Sequence, residues 1–368
     1  MITRDKLILE ALRDLDLSPT MEINARDKYK AIATYLENNG VESDFYPQGS
    51  FLTGTVVRPY RNGKSQNYDL DVLVILDEEK EDTTPYQVKN RVGDILKASD
   101  LYKDKLDKED SNCWTLNYAE ILKDAGFSMD LVPSIEEVEN IKEEMMYSGV
   151  PSNYISETVS ITEKIQEQYD WITSNPLGFG NWFLDISNKQ LTAESKLKQY
   201  RNLNEDILRV FNKVEDVPTY IYRSSLQKAV QFVKRHRDIY YDRSDRNEDK
   251  PSSFLLTSLI ADSVKDEPSM GIEEILRHFI YKFIKQSIAI MIDGKILNPV
   301  DNRENLIEGY SEKRIALMKK WLGSLKEDID ILDNDKFRLQ LYNNINEKLS
   351  LSNHKDVNVI TPRKPWRI

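Results

Sequence analysis

Residues 47–76 read PQGSFLTGTVVRPYRNGKSQNYDLDVLVIL, opening on Gly49-Ser50 and closing on Asp69-Leu70-Asp71, which run straight into Val72-Leu73-Val74-Ile75-Leu76. Side chains alternate across a strand, so Asp69 and Asp71 project from one face and Leu70 from the other. Consecutive aliphatic residues of this kind imply a strand covered on both faces. Paired carboxylates at the entry of such a strand repel each other unless a cation lies between them. Mg2+, a hard ion that takes carboxylate and phosphate oxygens, is the natural candidate. The competing reading is an ordinary solvated strand entry.

The upstream half supplies a matching phosphate site at Gln48, Gly49 and Ser50. Gly49 permits a tight turn and close approach to a ligand, and Ser50 adds a hydroxyl donor beside consecutive backbone N–H groups. A third carboxylate comes from Phe127-Ser128-Met129-Asp130-Leu131-Val132-Pro133, which alternates apolar and polar residues. This pattern predicts a short strand ending at Pro133, with Asp130 facing away from Met129 and Leu131. Asp130 is the candidate general base and further metal ligand.

Gly-Ser, then Asp-x-Asp entering an aliphatic strand, then a lone Asp before Val-Pro resembles the signature of the polymerase-beta-like nucleotidyltransferases. More narrowly, the chain resembles the bacterial cGAS/DncV-like nucleotidyltransferases (CD-NTases). The narrower likeness extends over Cys113-Trp114-Thr115-Leu116-Asn117-Tyr118, Asn175-Pro176-Leu177-Gly178-Phe179, Lys250-Pro251-Ser252-Ser253-Phe254, Asn298-Pro299-Val300 and Glu304-Asn305-Leu306. The resemblance implies an α+β, two-lobed fold with a mixed-sheet catalytic core, a long N-terminal spine helix and a helical C-terminal lobe. The corresponding divisions are 1–192, 193–350 and a mobile tail, 351–368.

The 368 residues carry a net charge of −11, which argues against a non-specific nucleic-acid binder and against activation by nucleic acid. A single cysteine, Cys113, permits no intramolecular disulfide, and His236, His278 and His354 lack ligand spacing. No signal-peptide core and no apolar run of membrane-spanning length occurs, so a cytoplasmic location is expected. No Gly-Lys-Ser/Thr stands at Walker spacing, which removes P-loop chemistry.

Helical spacing of Ala25, Tyr29, Ile32 and Leu36 predicts a helix over 18–39, stopped by Asn39-Gly40. Acidic runs at 77–82 and 134–147 read as solvated surface, and Trp182 and Phe183 as packing between lobes. Residues 291–297 read as a hairpin-like turn, and 312–325 and 335–349 as structural helices. Leu226, Ala229, Val230 and Val233 form a stripe that places Lys234 and Arg237 at or beside an inward face. Two cations there need an anionic partner, either a core carboxylate or a ligand phosphate. Ser252-Ser253 start a new helix and can also donate to phosphate.

By resemblance to animal cyclic GMP-AMP synthase, Lys234 and Ser253 hold the donor triphosphate. Phe254, replacing the usual Tyr, lies against the donor base, with core packing as its competing role. The resemblance further implies nucleoside triphosphate substrates, two Mg2+ ions (or Mn2+) on Asp69, Asp71 and Asp130, and a cyclic di- or oligonucleotide product that drives a downstream effector in antiphage signalling. It also implies an accessory protein at the C-terminal tail. The rival readings are a nucleotidyltransferase acting on RNA or protein, and an inactive nucleotide-binding scaffold.

Overall fold

The computed structural model describes residues 19–57, 60–61, 64–65, 67–118, 126–191 and 223–330, with isolated positions between 5 and 17. The chain enters through helix α1 (Pro19–Asn38), strand β1 (Ser43–Pro47), the short helix α2 (Gly49–Thr53), a ribbon of β2 (Tyr60–Arg61) and β3 (Lys64–Ser65), and strand β4 (Tyr68–Leu76). Helix α3 (Pro85–Ala98) leads to β5 (Trp114–Tyr118), β6 (Phe127–Glu136), α4 (Glu139–Tyr147), β7 (Val159–Ile165), β8 (Gln168–Ser174) and α5 (Pro176–Lys189). Helices α6 (Ser225–Arg243), α7 (Ser253–Val264) and α8 (Ile272–Asp293), the pair β9 (Leu297–Asn298) and β10 (Asp301–Asn305), and α9 (Glu312–Asp330) follow. The fold is α+β, as the sequence implies.

One mixed sheet runs β1-β4-β6-β7-β8, with β5 also paired to β6. Strands β4 and β6 are parallel, in a register that sets Asp69 beside Ser128 and Asp71 beside Asp130. Period-two alternation sorts the two faces. Leu70, Val72, Val74, Met129 and Leu131 join one core cluster with Tyr29, Ile32 and Leu36 of α1 and Val88, Val92 and Leu96 of α3. On the opposite face, Leu73, Ile75 and Val132 pack with Leu52 of α2 and Leu177 of α5. The face bearing Asp69, Asp71 and Asp130 therefore turns from carboxylate to aliphatic as it runs under α2 and α5.

A separate cluster holds the helical part together, with Val230 and Val233 of α6, Leu256 and Ile260 of α7, Phe279 of α8 and Trp321 of α9. Phe179, Trp182 and Phe183 of α5 belong to it too, so α5 joins sheet to helices. The apolar stripe of α1 lies in the sheet cluster, and α1 reaches the helical side through the ion pair of Glu22 with Arg223.

Several local readings need correction. Strand β6 continues through Pro133, which pairs in register with Val74. On the other side of β6, the pairing with β5 stops at Leu131, opposite Trp114, and that with β7 starts at Ser134, opposite Ile161, so the missing N–H falls where no ladder partner is in register. Glu137, expected on a solvated surface, is 2% exposed and accepts hydrogen bonds from Lys80 (2.8 Å) and Thr173 (2.8 Å). The lysine of the preceding charge run thus compensates a buried carboxylate. Residues Met291 to Asp293 end α8 rather than forming a turn, and the turn starts at Gly294 with φ +64°. Helix α9 extends to Asp330, while the helix expected over 335–349 and the tail 351–368 lie outside the described residues. Among those residues no helix is long and apolar enough to cross a membrane.

Gly93 of α3 tests the packing of α3 on the sheet. A Cβ there would lie 2.2 Å from Cζ2 of Trp114, which is 1% exposed and donates through Nε1 to the Lys89 carbonyl at 2.8 Å. A helical Gly→Ala change ordinarily stabilises by up to about 1 kcal/mol. Here Gly93→Ala should instead destabilise by about 1–3 kcal/mol through overpacking. Urea denaturation decides the sign, and a stabilised variant would contradict this packing.

Candidate active site

The three carboxylates converge because two parallel strands put them in register on the same face. Burial raises Asp71 from its ordinary 3.8 to about 7, the like charges of Asp130 and Asp69 push in the same direction, and the Lys234 cation partly offsets them. Asp69 and Asp130 are raised by desolvation as well, against hydrogen bonds from Ser128 and Thr115 respectively. The Ser128 hydroxyl donates to Asp69, and that of Thr115 donates to Asp130 at 2.6 Å.

Gly49 begins α2 at φ +61°, so the segment expected as a turn is the first turn of a five-residue helix. A Cβ on Gly49 would sit 2.2 Å from Asp71 Oδ2. Only glycine lets the backbone pass this close to the carboxylate while holding that conformation. Gln48 precedes it in extended backbone and donates its N–H to the Asp71 carbonyl at 2.9 Å, which fixes α2 to the Asp-bearing strand.

Helix α6 forms the opposite wall. Gln227 donates to the Thr53 carbonyl at 2.9 Å, Gln231 to that of Val56 at 2.8 Å, and Lys234 Nζ to Thr55 Oγ1 at 3.0 Å. Successive turns of one helix thereby grip the segment that follows α2. Lys234 is lowered to about 7 by burial and by the nearby Arg237 cation, with Asp238 and Asp71 offsetting in part. Arg237 pairs with Asp238 at 2.7 Å and reaches the Pro251 carbonyl (2.9 Å) and Ser253 Oγ (3.1 Å). Ser253 is thus tied to α6. The Phe254 ring lies 4.3 Å from that of Phe179 and packs against the helical core, the competing role expected for it, while it also lines the cleft described next.

A cleft of about 830 Å3 opens between these walls, a size suited to small-molecule ligands. Gln48, Gly49, Ser50, Asp69, Asp71, Asp130, Lys234, Ser253 and Phe254 all line it. Sequence reading gave no role to Asn175, Asn298, Asp301 or Glu304, which line it as well. Asn175-Pro176 and Asn298-Pro299 were visible as motifs. Only the fold shows that Asn175 donates to the Val300 carbonyl at 3.3 Å, across 125 residues of sequence.

Among the described residues no three His, Cys, Asp or Glu side chains form a ready-made metal cage. The donor set nevertheless fits a hard divalent cation. Three carboxylates crowd the ends of two adjacent strands, and burial, with their mutual repulsion added to it, raises Asp71 to about 7.

The family described as "Cyclic GMP-AMP synthase DncV-like, nucleotidyltransferase domain" matches residues 43–131. A c-di-GMP synthase of Roseivirga ehrenbergii is 30% identical over 307 residues, covering 81% of this chain and 70% of that protein. The cyclic dinucleotide synthase CdnG of Bradyrhizobium diazoefficiens is 25% identical over 245 residues, covering 64% of this chain and 53% of its own length. The solved structure of that CdnG in complex with GTP shares the fold at TM-score 0.67 and 20% identity, covering 94% of this chain and 98% of that one. An E. coli MS115-1 CdnC, solved in complex with a HORMA protein, does so at TM-score 0.58 and 12% identity, covering 95% and 97%.

The raised Asp71 value predicts a linkage. Folding holds this proton more tightly than the unfolded chain does, so its contribution to the empty protein's stability is lost as pH rises from 3.8 to about 7. A cation competing with that proton restores stability, and the Mg2+-induced rise in Tm should grow between about pH 5.5 and about pH 8. It should vanish in Asp71→Asn. A pH-independent rise retained by the variant would refute cation binding at this carboxylate.

Proposed function

Because the chain belongs to the bacterial CD-NTases, nucleotidyltransferases that make cyclic nucleotides, we propose that it condenses two nucleoside triphosphates into a cyclic dinucleotide and releases two pyrophosphates. The observation that carries the proposal is the Asp71–Asp130 register pair in a cleft that Lys234 and Arg237 also line.

Asp69, Asp71 and Asp130 would hold the divalent cation, Mg2+ or Mn2+, which when bound neutralises charge on the entering and leaving oxygens. Asp130 is oriented by Thr115 and made more basic by its surroundings, which suits it to take the proton of the acceptor ribose hydroxyl. The donor triphosphate lies along Gln48, Gly49 and Ser50 and against Lys234. Lys234 regains full charge beside a polyanion, and Arg237 keeps Ser253 turned toward the same phosphates. Phe179 and Phe254 give the donor base an apolar face. After the first bond forms, the linear intermediate turns round and a second identical step closes the ring.

We place the enzyme in the cytoplasm, with division into a catalytic core at 1–192 and a helical lobe at 193–350. The product signals to an effector in antiphage defence. An accessory protein engages residues 351–368, a reading supported by the HORMA partner of the CdnC relative.

Incubation with the four nucleoside triphosphates and Mg2+ should yield a phosphatase-resistant cyclic product by mass spectrometry. Asp71→Asn should lower its formation by about 100-fold or more without lowering Tm. Lys234→Ala should raise KM for the triphosphate about tenfold, as expected for one charge-assisted hydrogen bond. Unchanged turnover in both variants would sink the assignment.

A further inference from the structure

The cleft holds more carboxylates than phosphoryl transfer needs, and each but one is accounted for. Asp69, Asp71 and Asp130 form the catalytic group. Asp238 is paired with Arg237 at 2.7 Å and Lys250 at 3.3 Å. Asp301 is held by Arg303 through Nε at 2.8 Å and Nη2 at 2.9 Å. Glu304, exposed at the cleft and so open to a ligand, has no cationic partner among the described residues. Its Oε2 accepts from the Asn298 amide at 2.6 Å. Asn298 is 4% exposed, and its own oxygen accepts from the Val300 N–H at 3.0 Å. A buried amide therefore sets the direction of an uncompensated acceptor in a nucleotide-sized cleft.

The aromatic pair Phe179–Phe254 lines the same cleft. Asn175 caps the helix that carries Phe179, accepting from Gly178 N at 3.0 Å, and donates to the Val300 carbonyl next to the Glu304 brace. A base stacked on those rings would share the cleft with Asn298, Asp301 and Glu304 of the β9–β10 hairpin. Guanine offers two adjacent donors, N1–H and N2–H2, on its Watson–Crick edge, whereas adenine sets an acceptor, N1, beside its single amino donor. A carboxylate accepts both guanine donors and repels the adenine N1 lone pair.

We infer that Glu304, braced by Asn298, is the specificity-determining residue that reads the Watson–Crick edge of guanine. The enzyme therefore takes GTP in preference to ATP at the base site formed with Phe254. This rests on the cyclic dinucleotide synthase reading above.

The test measures Kd for non-hydrolysable GTP and ATP analogues with Mg2+ by calorimetry, in the wild type and in Glu304→Gln, with Tm as the folding control. The amide keeps the shape and loses the charge. The wild type should prefer the GTP analogue, and Glu304→Gln should shrink that preference by about 5- to 150-fold, the range for one bidentate base contact. Equal weakening of both analogues would mean that the carboxylate binds ribose or a cation common to both, and would overturn the inference. So would a wild type that favours the ATP analogue, or an unchanged ratio in the variant. Product analysis separates the two claims. A guanine preference that depends on Glu304 but yields no cyclic product supports the base reading and refutes the cyclase reading, whereas a cyclic product with an unchanged ratio does the reverse.

Discussion

Asp71 and Asp130 stand beside each other on adjacent parallel strands, and the cost of burying their carboxylates together, desolvation first and repulsion second, is the constraint around which the molecule is arranged. Strand pairing and the aliphatic residues beyond the carboxylates fix that proximity. Leu73 and Val132 continue the same face into the packing under α2 and α5. The carboxylates thus cannot separate without shifting strands whose other face is buried against α1 and α3. Part of the fold's stability is held against an electrostatic conflict, and conflict of this kind is characteristic of functional sites.

The opposite wall is built to match. Gln227, Gln231 and Lys234 tie α6 to residues 53–56, so the helix bearing the cations is held in place by the chain that follows Gly49. Arg237 then spans from α6 to the start of α7 through Ser253. Arg314 donates to the carbonyls of Asp249 at 3.3 Å and Lys250 at 2.8 Å and lies over the Tyr310 ring, which steadies the approach to that turn. The wall formed by α6 and the start of α7 is therefore pre-organised by contacts far apart in sequence.

Period-two alternation placed Asp69 and Asp71 on one face and Asp130 on a second strand, because those signals are local. The 3.6-residue stripe of α6 placed Lys234 and Arg237 at the inward face for the same reason. The join at Pro133 was not legible, since a proline within a strand reads as a stop unless the ends of both neighbouring strands are known. Glu137 looked solvated because its partner Lys80 lies 57 residues earlier. Asn298 and Glu304 gave no signal beyond a motif likeness, since they sit on strands of two and five residues joined to the cap of α5 by a contact from Asn175 to Val300 far away in sequence.

The central claim is that the crowded carboxylates hold divalent cation against a triphosphate lying along Gly49 and Ser50. Its most direct test is a crystal structure grown with Mn2+ and a non-hydrolysable GTP analogue, read by anomalous scattering at the manganese edge. Manganese should be bound by Asp69, Asp71 and Asp130, with the phosphates between Ser50 and Lys234. Anomalous density elsewhere, or phosphates bound away from α2 and α6, would contradict it.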